Sequence, residues 1–169
     1  GIIWHSQGAG KSLMMVWLAQ WILENMPNDP RVVIITDRDE LDKQIENGFK
    51  DAGHKPIRAK SGNHLLSMLS EVEPNLICTL IHKFGIAGQE ESAFSAEEKK
   101  LRGKRSPEQY MAALAEKLPK GFKAKGNIFV FVDECHRTQG GILNKAMKKI
   151  MGDDVMLIGF TGTPLLKQQ

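Results

Sequence analysis

Gly1-Ile2-Ile3-Trp4-His5-Ser6-Gln7-Gly8-Ala9-Gly10-Lys11-Ser12-Leu13-Met14-Met15 is the stretch that decides the fold. Gly1 to Trp4 suits a short strand, Gly8 to Ser12 supply a Gly-x-Gly-Lys-Ser core, and an apolar series follows. Strand, glycine-rich loop and helix in that order make a phosphate loop. Glycines let backbone N–H groups converge on phosphate oxygens, and the positive end of the following helix faces the same anion. Lys11 would reach the β and γ phosphates of a nucleotide, and the Ser12 hydroxyl would ligate Mg²⁺. The wider pattern asks for another glycine where this chain has His5, so only the core of the motif is met. Trp4 and His5 read as structural, since a tryptophan ending a strand more often packs in a core than stacks on a ligand.

Working outward, Ser12 to Glu24 carries apolar residues around nearly its whole circumference, which predicts a helix buried on all sides. Pro27 and the Asn28-Asp29-Pro30 turn stop it. Four further runs are almost continuously apolar or β-branched: Val32 to Thr36, Leu76 to Ile81, Ile128 to Val132 and Val155 to Phe160. Runs without alternation suit strands covered on both faces, as in parallel sheets. Between them, Asp39 to Asp51 places Leu41, Ile45 and Phe49 on one helical stripe with Gly53 just beyond, and Asn63 to Leu69 reads as a shorter helix. Strand and helix alternate, so the class is α/β with a mostly parallel central sheet and helices on both faces.

The run Ile128 to Val132 leads directly into Asp133-Glu134-Cys135-His136. Open α/β sheets bind ligands at the C-terminal ends of their strands. Phosphoryl transfer needs one carboxylate to hold Mg²⁺ and a second group to orient or deprotonate the attacking water. Asp133 suits the first role and Glu134 the second. Adjacent acids are common as solvated surface charges, but a buried strand leading into them, together with a phosphate loop, points to nucleotide hydrolysis. Phe160-Thr161-Gly162-Thr163-Pro164 would end the last strand at the same edge; alone it reads as an ordinary turn.

Composition adds bounds. The 169 residues fit one domain, 1–169, and 41% hydrophobic with 25% charged residues is the balance of a soluble globular protein. No run approaches the length of a membrane span and no signal segment opens the chain, so a cytoplasmic protein is expected. Cys78 and Cys135 make no disulfide framework and read as reduced thiols. A net charge of +3 permits a polyanionic partner without requiring one. The abrupt start in a strand and end after another predict a fragment of something longer. Gly88 to Asn127 breaks the pattern: from 97 to 125 it holds nine Lys or Arg against four Glu. It reads either as a mobile surface insertion with one amphipathic helix around Pro107 to Leu118, or as an arm that tracks DNA phosphates.

Taken together, Gly8 to Ser12, Asp133 to His136 and Thr161 to Thr163 resemble motifs I, II and III of superfamily 2 helicases and translocases. Those enzymes tolerate other residues at the His5 position. More narrowly, Trp4 to Ser12, Thr36 to Gln44 and Asp133 to Gln139 resemble the restriction subunit of type I restriction-modification enzymes, over nearly all the chain except the basic segment. The resemblance implies the first RecA-like lobe of an ATP-driven double-stranded DNA translocase. ATP and Mg²⁺ would be held by Gln7, Gly8, Ala9, Gly10, Lys11, Ser12 and Asp133. Lys11, Asp133, Glu134 and His136 would be catalytic, with Thr161, Gly162 and Thr163 coupling nucleotide state to motion. Arg38, Thr79 and Lys83 would lie near the DNA backbone. In the complete subunit a nuclease domain precedes this lobe and a second RecA-like lobe follows with the arginine finger, so the isolated piece should hydrolyse ATP poorly. Methyltransferase and specificity subunits would be partners. The competing readings are another superfamily 2 motor, a nucleotide-gated interaction module without turnover, and a small-molecule kinase, which would need an arginine-rich lid.

Overall fold

The structure is a computed structural model that describes residues 1–5, 10–36, 39–80, 107–133 and 140–162. Six strands, β1 (Ile2–Trp4), β2 (Pro30–Thr36), β3 (Ile57–Arg58), β4 (Leu76–Leu80), β5 (Asn127–Asp133) and β6 (Met156–Thr161), form one sheet in the order β1-β6-β5-β2-β4-β3, with every pairing parallel. Five helices accompany them: α1 (Lys11–Asn25), α2 (Asp39–Asp51), α3 (Gly62–Ser70), α4 (Pro107–Glu116) and α5 (Gly140–Met151). The fold is the RecA-like α/β class expected from the alternation of strands and helices.

Two apolar cores lie on opposite faces of the sheet, because alternate residues of each buried strand point opposite ways. Val32, Ile34, Phe129 and Phe131 face α1 and α2, meeting Met15, Val16, Ala19, Ile22, Ile45 and Phe49. Val33, Ile35, Val130 and Val132 face the other way, onto Leu65, Leu69, Met111, Leu143 and Met147 of α3, α4 and α5. Gly48 of α2 lets α1 come close, for a Cβ there would stand 3.0 Å from the Val16 side chain.

Several expectations change. The helix over Ser12 to Glu24 is present but not buried all round: Met15, Val16, Ala19 and Ile22 are buried, while Leu13, Trp17 and Trp21 stand exposed. Trp4, expected in the core, is 63% exposed, because Ile3 takes the inward position of the short edge strand. The charged segment from Gly88 splits: residues 88–106 lie outside the described residues, whereas α4 is built into the core through Met111, Leu114 and Ala115. Strand β3 and helix α5 have no counterpart among the expected elements.

The N-terminal ends of the strands are tied by Arg31. It is 1% exposed, and its five N–H groups reach four carbonyl oxygens: Met68 at 2.7 Å, Pro74 at 2.9 and 3.2 Å, Lys125 at 3.0 Å and Leu69 at 3.2 Å. Burial lowers the guanidinium's pKa, with Glu73 acting the other way. A buried charge persists only when its hydrogen-bonding capacity is filled, as it is here. Gly126, at φ +87°, passes so close that a Cβ would stand 2.7 Å from Arg31 Cδ and 2.8 Å from the Asp29 carbonyl oxygen.

Candidate nucleotide site

Strands β1, β6 and β5 are neighbours and their C-terminal ends finish level, with Trp4 beside Thr161 and Asp133 beside Phe160. From β1 the chain passes over two strand positions to β2, crosses to the edge strand β3, fills β4 between β3 and β2, and returns to insert β5 and β6 between β1 and β2. Such a reversal of strand order opens a crevice at the C-terminal edge, the position where α/β sheets hold ligands.

Gly10 takes φ +88°, the left-handed region that glycine enters without steric cost, and its carbonyl accepts the first bond of α1 from Met14 N–H at 3.0 Å. Lys11 is therefore the first residue of α1, with Ser12 next, at the helix end where unpaired N–H groups collect. Lys11 Nζ lies 2.6 Å from Asp133 Oδ1. The Asp133 side chain is fully buried and Lys11 is 12% exposed, so this pair is shielded from water. Two segments far apart in sequence, each singled out by its residue types, thus meet at one point in the crevice.

The donor set fits a magnesium nucleotide. A lysine ammonium at a helix N-terminus suits phosphate oxygens, and the Ser12 hydroxyl on α1 and the buried Asp133 carboxylate on β5 are hard oxygen donors of the kind Mg²⁺ takes from proteins when phosphates and water provide the rest. Among the described residues no group of three His, Cys, Asp or Glu could cage a metal.

Thr161 is buried on β6 between β1 and β5, and His5 N–H donates to its carbonyl at 2.9 Å, fastening the residue after β1 to that strand. Gly162 follows it at the same edge. Gln7, Gly8, Ala9, Glu134, His136, Thr163, Arg38 and Lys83 lie outside the described residues. Thr79, expected near a DNA backbone, is fully buried in β4 with its Oγ1 lacking a hydrogen-bond partner, and that burial does not fit a direct phosphate contact.

A second polar group was not anticipated. Arg58 of β3 pairs with Asp42 of α2 and, at 2.8 Å, with Glu46, which also meets Lys50 at 2.7 Å. The Lys50 hydrogen bond chiefly holds the Glu46 carboxyl below its ordinary pKa. Beside them Cys78 is a buried free thiol, pushed up to about 12 by burial and then by the Asp42 charge. The signal in sequence was an aspartate on the apolar side of the α2 stripe, one residue from Leu41.

A parallel sheet with a Lys-Ser helix start facing a buried aspartate across the switch crevice defines a nucleotide-hydrolase lobe. The SWI2/SNF2 ATPase family model matches residues 1–169, and the chain belongs to that family. It is a helicase-like ATPase lobe. Similar proteins include the type I restriction enzyme HindI endonuclease subunit of Haemophilus influenzae, 28% identical over 182 residues, covering 98% of this chain and 15% of that one. Another is the type I restriction enzyme SauCOLORF180P endonuclease subunit of Staphylococcus aureus, 28% identical over 165 residues, covering 97% of this chain and 15% of the relative. The chain thus spans about 15% of the length of these curated relatives. Among the described residues, no helix is long and apolar enough to cross a membrane.

Proposed function

We propose that this lobe is the first half of the ATP-driven motor of a type I restriction endonuclease subunit, which moves double-stranded DNA before cleavage. The observation that carries the reading is the 2.6 Å contact of Lys11 with the buried Asp133 at the C-terminal sheet edge. Lys11 would turn from Asp133 to neutralise β and γ phosphate oxygens, and the backbone N–H groups from Gln7 to Gly10 would bind the same anion. Ser12 and Asp133 would hold Mg²⁺, which would supply Lewis-acid charge to the phosphates. Glu134 orients and deprotonates the attacking water, and His136 links it to Thr161, Gly162 and Thr163. Arg38 and Lys83 meet DNA phosphates, a contact that suits a motor indifferent to sequence. The remaining machinery is a second RecA-like lobe with an arginine finger, a nuclease domain in the same chain, and methyltransferase and specificity subunits. The names of the relatives support this assembly.

The test uses the full-length chain assembled with those subunits. Double-stranded DNA should stimulate ATP turnover, and Glu134→Gln should abolish turnover while leaving nucleotide binding intact. Displacement of a third strand from a duplex should accompany turnover without processive strand separation. Turnover unchanged in the variant would refute the role of Glu134; clear unwinding would favour a different superfamily 2 motor.

A further inference from the structure

Thr36 is the last residue of β2 and Asp133 the last of β5. The two strands run in parallel register, Ile34 beside Phe131 and Ile35 beside Val132, so one step further on Thr36 stands beside Asp133. Ile34 and Phe131 both point into the core shared with α1 and α2. Alternation along a strand turns Thr36 and Asp133 to that same face, the one from which Lys11 reaches the carboxylate at 2.6 Å. Neighbouring strands lie about 4.8 Å apart, a spacing that a hydroxyl on one and a carboxylate on the other can bridge.

Thr36 is 1% exposed, and its Oγ1 has no hydrogen-bond partner among the described residues. A buried hydroxyl without a partner weakens a fold, and valine would fill the same shape without that cost. Val32, Val33, Ile34 and Ile35 fill the preceding positions of β2 with branched apolar side chains, so packing alone gives no reason for a hydroxyl at the end of the strand. Thr79 of β4 shares the condition but lies beside Ile35, on the opposite face of the sheet.

We infer that Thr36 is a positioning residue of the nucleotide site, its hydroxyl donating to the Asp133 carboxylate once Lys11 has turned to the phosphates and so holding that carboxylate in place for Mg²⁺. This rests on the reading of Asp133 as the magnesium carboxylate. In the nucleotide-free chain the Lys11 ammonium neutralises Asp133. When Lys11 turns away, a fully buried carboxylate loses its cation, and a metal engaging one oxygen leaves the other in need of a donor. Thr36 supplies it from the adjoining strand by rotating a hydroxyl, with no shift of backbone. Metal-binding carboxylates are commonly held by such a second hydrogen bond, and removing the holder weakens metal affinity about 10–100-fold.

The test uses the full-length chain, with Thr36→Val to remove the hydroxyl at constant shape and Thr36→Ser to keep it. Binding of mant-labelled AMP-PNP is followed by fluorescence while magnesium chloride is titrated. Thr36→Val should raise the Mg²⁺ concentration for half-maximal binding roughly tenfold. It should leave binding in EDTA unchanged and the nucleotide-free melting midpoint at or above that of the parent. Thr36→Ser should show the opposite split, a parental Mg²⁺ requirement with a lower midpoint, since the lost methyl leaves a cavity. An unchanged Mg²⁺ requirement in Thr36→Val, a raised one in Thr36→Ser, or a Thr36→Val midpoint below the parent's would each overturn the inference. Asp133→Asn separates the two levels. If it leaves the Mg²⁺ requirement unchanged, the metal role of Asp133 fails and the role of Thr36 with it; if it raises the requirement while Thr36→Val does not, the role of Thr36 alone fails.

Discussion

Replacing Arg31 by methionine removes the guanidinium while keeping a long apolar stem, so the change isolates the five hydrogen bonds at the foot of the sheet. The Leu69 carbonyl retains a donor, since Lys125 N–H reaches it at 2.9 Å. Those of Met68, Pro74 and Lys125 lose the donor that Arg31 supplies. A buried carbonyl left unsatisfied costs about 1–3 kcal/mol. Against that, the variant no longer desolvates a cation, which offsets several kcal/mol. The net expectation is a loss of about 3 kcal/mol, a large share of the ~5–15 kcal/mol that holds a domain together. Urea unfolding followed by circular dichroism should show the midpoint falling by about 1–1.5 M with an unchanged slope. The melting temperature should fall by roughly 6–12 °C. Arg31→Lys should recover less than half of the loss, because an ammonium offers three donors without the planar fork. A midpoint within about 0.3 M of the parent, or full recovery by lysine, would refute the account of Arg31 as a hydrogen-bonded tie.

Gly126→Ala should destabilise by about 2–4 kcal/mol in the same assay, combining left-handed backbone strain with a Cβ 2.7 Å from Arg31 Cδ and 2.8 Å from a carbonyl oxygen; a neutral result would show that the foot can open. Lys11→Ala should lower the stability of the nucleotide-free chain by about 3 kcal/mol, because it strips the ammonium from a fully buried carboxylate, and calorimetry should show Lys11→Ala/Asp133→Asn regaining part of that loss. Cys78, with its thiol pushed up to about 12, should resist iodoacetamide at pH 8 until the chain unfolds, as read by peptide mapping; rapid labelling in the native state would contradict its burial. Glu46 has a folded pKa below its unfolded value, so its contribution is present above the unfolded value and is lost as pH falls through the folded one. Stability profiles of the parent and Glu46→Gln should therefore converge in acid and separate modestly above pH 5.

Strands β2, β4 and β5 were legible because each is an apolar run buried on both faces, which an unbroken apolar stretch reports by itself. The two halves of the site were legible because Lys11-Ser12 follow a glycine loop and Asp133 ends a buried apolar run. What escaped was decided by partners distant in the chain. Arg31 sits just before the apolar run at Val32, and nothing local distinguishes it from a surface cation; its burial is set by carbonyls 37 to 94 residues away. Strand β3, only Ile57 and Arg58, is too short to show alternation and exists because β4 offers an edge. The outer face of α1 was misjudged for a different reason. Apolar residues on every side were read as burial on every side, whereas only Met15, Val16, Ala19 and Ile22 meet the sheet and α2.

The pairing of β1 bears on how the chain is made. Gly1 N–H donates to the Leu157 carbonyl, 156 residues further on, and among the described strands β1 pairs with β6 alone. On the ribosome, β2, β4 and β5 can therefore register with one another before β6, which pairs with β1 among the described strands, has been made. Non-local closure of this kind is slow, and it exposes Ile2, Trp4 and the indoles of α1 to wrong partners in the interval. Helix α1, packed on β2, β5 and α2, can place Lys11 beside Asp133 before β6 is made, and β6 then seats β1 and fastens the His5 N–H to the Thr161 carbonyl.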